Sequence, residues 1–133
     1  MFDPVINSLP AFAGFFVTAV GLLAAFFALY LLVTPYSEVK LIREGNVAAA
    51  VSLAGALLGY ALPIAVAVVV SHNLYVMIGW GVVACIVQLL VYVAARLALP
   101  QINLAIPQGK VASGIFLAAL SVVAGILNAG CIA

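Results

Sequence analysis

Charged residues are scarce in this sequence, which has three Asp or Glu and four Lys or Arg among 133 residues, or 5%. A soluble domain normally carries about 25% charged residues. A chain so poor in charge cannot cover its surface with side chains that water solvates, so that surface must face lipid. The length allows one compact membrane domain, residues 1–133.

The residues that catalysis, metal binding and nucleic-acid binding require are also missing. There is one His, and Cys85 and Cys131 have no metal-ligating neighbour at the usual spacing, so we expect no metal and no cofactor. No Ser/His/Asp set or pair of carboxylates within an apolar run is present, so we expect that the protein is not an enzyme. The net charge of +1, without a basic run or a glycine-rich phosphate loop, argues against nucleic acid as a partner.

Long apolar runs are what the sequence does contain. Four runs, at about 10–33, 47–70, 74–97 and 111–132, are each long enough to cross a bilayer as a helix. We therefore predict an all-α membrane protein with four transmembrane helices. Small residues on the second and fourth runs predict close helix packing, with a proline that should kink the second run. These packing residues are Gly55, Gly59, Pro63 and Gly125.

The segment Thr34–Asn46 lies between the first two runs and holds four of the seven charged residues. Thr34 can cap a helix that begins at Pro35, Gly45 can end it, and Asn46 can cap the next helix. We interpret 35–44 as a short amphipathic helix in the headgroup layer, with an ordinary polar loop as the alternative. Its apolar side would consist of Val39, Leu41 and Ile42, and its polar side of Glu38, Lys40, Arg43 and Glu44. The residues through which it could bind a partner are Val39, Lys40 and Arg43.

An ion-pair clamp between the two connectors is a further prediction. Arg96 ends the third run on the same side of the membrane as Glu38 and Glu44. A partly desolvated pair of this kind is costly to break from one side.

Polar side chains within the apolar runs are the candidate pore or interhelical residues. On the third run Ala84, Gln88, Tyr92 and Arg96 recur every four residues and so share one helical face. That face should turn inward or toward a partner subunit, either lining a path or simply joining helices. The complete candidate set is Thr18, Tyr60, Gln88, Tyr92, Ser121 and Asn128.

The two halves of the chain resemble each other at an offset of 65 residues, which pairs Thr34-Pro35 with Leu99-Pro100. We predict two helical hairpins forming a parallel repeat, at about 10–70 and 74–132. All four Lys and Arg fall in or beside the two connectors. The positive-inside bias then places the connectors in the cytoplasm and both termini outside.

Several motifs together resemble a known family: Thr34-Pro35-x-x-Glu38-x-x-Leu41-Ile42-x-x-Gly45-Asn46, Leu58-Gly59-Tyr60-x-Leu62-Pro63, Gln88-Leu89-Leu90 with Arg96, and Asn128-Ala129-x-Cys131. They are similar to the YjfL-like bacterial inner-membrane family, a domain of unknown function (350) with duplicated two-span units. The resemblance implies four spans in a bacterial inner membrane. It also implies a setting near envelope-stress and polyamine-conjugation proteins, and no activity.

Two functions remain open at this point. The first is a small passive channel or transport module, which would have to be a homo-oligomer because four short helices enclose little space. The second is a non-catalytic membrane anchor or scaffold for a cytoplasmic envelope-stress or polyamine-related partner. The polar face of the third run favours the first, since an anchor does not require it.

Overall fold

Four long apolar helices form the body of the protein, whose residues 3–133 are described by a computed structural model. They are α1 (Asp3–Val33), α3 (Val47–Val70), α4 (Leu74–Ala98) and α6 (Val111–Ile132), while two short helices, α2 (Glu38–Arg43) and α5 (Ile102–Ala105), lie in the connectors. Each long helix has the length and hydropathy to cross a membrane. The predicted all-α membrane fold with four spans is confirmed.

The ends of the helices follow local chemistry that the sequence carries. The Asn46 side chain accepts a hydrogen bond from the Ala49 N–H at 2.9 Å and caps α3, as predicted. Asn73 caps α4 in the same way through the Val76 N–H. Gly45 has a φ of 84°, the left-handed conformation that a helix stop requires and that a side chain would strain.

Two predicted boundaries are wrong. α1 begins at Asp3 rather than near Pro10, which lies inside the helix. α2 begins at Glu38 rather than Pro35. Thr34 does not cap it, because the Thr34 hydroxyl donates to the Tyr30 carbonyl at 3.2 Å on the preceding helix. The hydroxyl thus extends the end of α1 instead of starting α2.

Helices α3 and α6 form the centre of the bundle and run parallel. Glycines let their backbones touch: Gly55 of α3 lies against Ala118, and Gly125 of α6 lies against Gly59. α4 packs against both helices, and α1 packs against α3 and α4. α1 is the outermost span, with only Phe26 and Tyr30 buried.

The two connectors meet at one end of the bundle. The Asn46 amide donates to the carbonyls of Ile106 and Pro107, at 3.0 and 3.2 Å. Near its end each connector has a glycine in the left-handed conformation, Gly45 or Gly109. The N–H of the next residue donates to a carbonyl five positions earlier, from Asn46 to Leu41 and from Lys110 to Ala105. The connector cations therefore lie at the same end of the molecule.

Candidate functional site

The polar face of α4 turns into the bundle. Ala84, Gln88 and Tyr92 are all buried, and only Arg96, at the connector end, is exposed. The face that the four-residue spacing predicts is thus an interior face of a single protomer. Its side chains meet α1, α3 and α6 rather than lipid.

Gln88 sits where α3, α4 and α6 come together. Its amide nitrogen donates to the Ser121 backbone carbonyl at 3.0 Å, and it lies beside Gly59, where a Cβ would be 2.8 Å away. The Gln88 side-chain carbonyl oxygen is buried and has no hydrogen-bond partner among residues 3–133. Half of this amide therefore joins helices, and the other half remains available inside the bundle.

Tyr60 and Thr18 have their hydroxyls satisfied by backbone carbonyls. The Tyr60 hydroxyl donates to Gly81 of α4 at 3.1 Å, and Phe26 of α1 stacks on the Tyr60 ring with centroids 4.4 Å apart. The Thr18 hydroxyl donates to Gly14 of its own helix at 2.7 Å. Both side chains therefore serve packing and local bonding.

Asn128 lies on α6 toward the end of the bundle opposite the connectors. Its side-chain nitrogen is buried and has no hydrogen-bond partner. With Gln88, it makes a second interior site where polar capacity is left unused.

Tyrosines gather at the connector end of the bundle. Tyr92 donates a hydrogen bond to Asn103 of α5, and the Tyr30 ring meets the Tyr92 ring edge-on with centroids 5.9 Å apart. The hydroxyls of Tyr30 and Tyr36 are buried and make no well-formed hydrogen bond within the part of the chain that the structure describes, although Ser52 lies beside the Tyr36 phenol. Three phenols from three parts of the chain thus converge on one place.

Glu38 is at the centre of this gathering. The residue is 0% exposed, and neither carboxylate oxygen has a hydrogen-bond partner within the described chain. Its carboxylate is within electrostatic range of the phenols of Tyr30, Tyr36 and Tyr92. We call these four residues the acid–tyrosine cluster.

Burial sets the ionisation of the cluster's groups outside the spans. Removal of the carboxyl from water raises the pKa of Glu38 to about 7. Burial also raises the pKa of the Tyr36 phenol above its ordinary value. Glu38 is therefore close to half protonated near neutral pH, and the phenol stays neutral.

The predicted connector clamp is not formed. Glu38 has no partner for either oxygen, and Glu44 and Arg96 are both exposed. The physical reason is the register of α2, which turns Glu38 into the bundle and leaves the exposed cations in solvent. No ion pair therefore offsets the desolvation cost of burying the Glu38 carboxylate.

One assignment in the predicted amphipathic pattern of α2 is wrong for the same reason. Glu38 was assigned to the polar side, yet it is the buried residue, whereas Val39 and Ile42 are 37% and 36% exposed. Lys40 and Arg43 are exposed as well. The outer surface of α2 therefore combines two apolar and two cationic side chains.

The packing residues lie at the α3–α6 contact. A Cβ at Gly55, Gly59 or Gly125 would overlap the backbone of the facing helix. Pro63 is buried on the same helix as the first two. Gly114, which would meet the Ala48 carbonyl at 2.5 Å, is a fourth close-contact glycine that the sequence analysis missed.

The acid–tyrosine cluster was also missed as a unit. The sequence carried one usable signal, since Tyr30, Tyr36 and Tyr92 fall at the same depth as Glu38 once the spans are assigned. Tyr30 is 1% exposed and so faces the bundle rather than lipid. Asn103, in the unpredicted helix α5, had no signal of its own. No group of three His, Cys, Asp or Glu that could hold a metal occurs among residues 3–133.

The sequence is similar to known membrane proteins over most of its length. A family model described as Domain of Unknown Function (DUF350) matches residues 4–132. The "UPF0719 inner membrane protein YjfL" of Escherichia coli K12 is 33% identical over 127 residues, 96% of each chain. The "UPF0719 transmembrane protein YshE" of Bacillus subtilis 168 is 31% identical over 98 residues, 74% of this chain and 73% of that one. No solved structure matches. This integral membrane protein, with its four spans, belongs to the DUF350 family.

Proposed function

We propose that the protein is a small transport module that passes a small cation, the proton included, along polar groups inside each protomer. Buried polar groups occur at successive depths through the bundle, and we call them the internal polar row. Its members are Asn128, Ser121, Gln88, Tyr92, Tyr30 and Glu38.

The observation that carries this proposal is the unused hydrogen-bonding capacity along the row. Among the described residues, at least one buried polar side-chain atom lacks a hydrogen-bond partner in each of Asn128, Gln88, Tyr30 and Glu38. A buried polar atom without a partner costs about 1–3 kcal/mol, which a purely structural bundle could avoid with apolar residues. Polar groups kept at such a cost inside a membrane are a functional hypothesis by default.

The order of the row along the membrane normal supports a route. Tyr92 lies four residues after Gln88, about 6 Å closer to the connector end. Asn128 lies seven residues after Ser121, about 10 Å in the other direction, because α6 runs away from the connectors. The row therefore reaches from the acid–tyrosine cluster to the opposite end of α6.

The tight α3–α6 contact leaves no wide pore in one protomer, so the solute has to be small. We propose further that the functional unit is a homo-oligomer with its cationic connectors in the cytoplasm, and that the two hairpins arose by duplication. α1 supports the first point, because little of it is buried in the protomer. The matching glycine-terminated connectors support the last.

Replacement of Gln88 by Leu tests the transport proposal. The change removes the polar groups at the middle of the row, so we expect cation flux in proteoliposomes to fall at least ten-fold, measured for H⁺, Na⁺ and K⁺ in turn. Gln101→Leu is the matched control, because Gln101 is exposed in the second connector. Wild-type liposomes that are silent to all three ions contradict the proposal.

A membrane anchor is the second candidate, and the outer surface of α2 favours it. Val39, Lys40 and Arg43 are exposed at the connector end, where apolar and cationic side chains together suit an acidic cytoplasmic protein. A photocrosslinker at Val39 in living cells is expected to capture one soluble protein repeatedly. A probe at Leu104, exposed on the second connector, is the control, and capture of only lipid and other copies of this chain excludes the anchor.

A further inference from the structure

We propose that Glu38 is a proton-binding site and that loss of its proton releases the connector helix α2 from the bundle. The pair of states would act as a latch, closed when Glu38 is neutral and open when it is ionised. Such a latch would regulate an anchor as well as a transport module.

The geometry around Glu38 motivates this assignment. The carboxyl is 0% exposed, and neither oxygen accepts a well-formed hydrogen bond within the described chain. The Thr34 hydroxyl lies beside it but donates to the Tyr30 carbonyl. An ionised carboxylate in such surroundings is strongly disfavoured, whereas a neutral carboxyl needs no counter-charge. A proton removes the buried charge without the need for a further residue.

The groups that face Glu38 offer it no positive charge. The titratable groups around it are the phenols of Tyr30 on α1, Tyr36 in the connector and Tyr92 on α4. On α3, Ser52 faces the Tyr36 phenol. Lys40 and Arg43 of α2, and Arg96 of α4, are exposed. The Thr34 hydroxyl beside the carboxyl lowers its pKa less than burial raises it, and Arg96 acts on the Tyr92 phenol, so no cation pairs with Glu38 within the described residues.

The mechanical link runs through α2 itself. This helix has six residues, and its buried surface consists of Glu38, with Leu41 packed in part against the core. So short a helix is not stable alone and depends on its docking contacts. If the docked acid ionises, the contact made by the one fully buried side chain of α2 becomes unfavourable.

The direction of the pH effect follows from the two states. Released, Glu38 has its ordinary pKa of 4.5, and docked, burial raises the pKa to about 7. Below 4.5 both states are protonated and docking is at full strength. Between 4.5 and 7 docking weakens ten-fold per pH unit, and above 7 it levels off. The ratio of docked to released α2 should fall by about 300-fold in all.

An infrared titration of the full-length protein in nanodiscs reads the proton directly. The chain has only three Asp and Glu residues, so the band of a protonated carboxyl that survives above pH 6 is easily assigned. We expect this band in the wild type and in Glu44→Gln, the matched control with an exposed acid on the same connector. We expect its absence in Glu38→Gln and its presence in Glu38→Asp, which covers the case of a Gln variant that does not fold.

Hydrogen exchange of the α2 amides reads the latch. After correction for the intrinsic exchange rate, protection in the wild type and in Glu44→Gln should fall as pH rises from 4.5 to 7. In Glu38→Gln, whose neutral amide imitates the protonated acid, protection should not change with pH. Two results overturn the proposal: a carboxyl band that has already disappeared when the pH is raised to 5.5, or protection of α2 that is independent of pH in the wild type. Neither result bears on the flux expected to depend on Gln88.

Discussion

Gly125→Ala is expected to lower the free energy of unfolding by about 2–3 kcal/mol, and Gly125→Leu to yield no folded protein. A Cβ at this position would overlap the carbonyl oxygen, the Cα and the carbonyl carbon of Gly59 on α3. Two backbones cannot accommodate a side chain between them by changing rotamers, so the helices have to separate. Because van der Waals packing, rather than the hydrophobic effect, joins helices in lipid, separation removes most of what holds them together.

Gly130 provides the control on the same helix. A Cβ there has nothing within 4 Å, so Gly130→Ala should be neutral or slightly stabilising through helix propensity. Unfolding by SDS, followed by circular dichroism, measures each variant. Equal stability of Gly125→Ala and Gly130→Ala means that α3 and α6 do not touch as described.

Asn46→Ala is expected to destabilise the protein by about 2–3 kcal/mol. The change removes the cap of α3, which contributes about 1 kcal/mol, and two hydrogen bonds from the first connector to the second. Asn46→Asp keeps the capping oxygen and loses the donor, so it should fall between the wild type and Asn46→Ala.

The matched control for the cap is Asn73→Ala. Asn73 caps α4 through the Val76 N–H in an exposed setting and bonds no second connector, so its loss should cost only about 1 kcal/mol. The same SDS titration measures this variant. Equal losses at the two asparagines mean that the bond between the connectors adds nothing to stability.

The sequence alone predicted the parts of the fold that depend on local chemistry and on the lipid solvent. The predicted bounds 47–70 and 111–132 coincide with those of α3 and α6. Gly45 and Asn46 mark the start of α3, and the runs of apolar residues mark the extent of both helices. Gly55, Gly59 and Gly125 were recognisable from their spacing, since only small residues allow close backbone contact.

The parts that failed depend on which neighbours a residue meets. The six residues of α2 do not by themselves determine whether Glu38 or Val39 faces the bundle. That orientation depends on the neighbouring helices and on the tyrosines near Glu38. The partner of Gln88 is a backbone carbonyl, which leaves no trace in the sequence. The predicted clamp with Arg96 was based on a shared depth along the membrane normal, which does not determine how far apart the side chains lie within the membrane plane.

The contact between α3 and α6 also limits how the protein can move. Because α3 and α6 are in backbone contact, few side chains lie between them that could rearrange, so the two helices should move together as a rigid spine. α1 touches this spine through larger and more adaptable side chains such as Phe26. Any gating motion is therefore expected as a tilt or slide of α1 and α4 across a stationary centre.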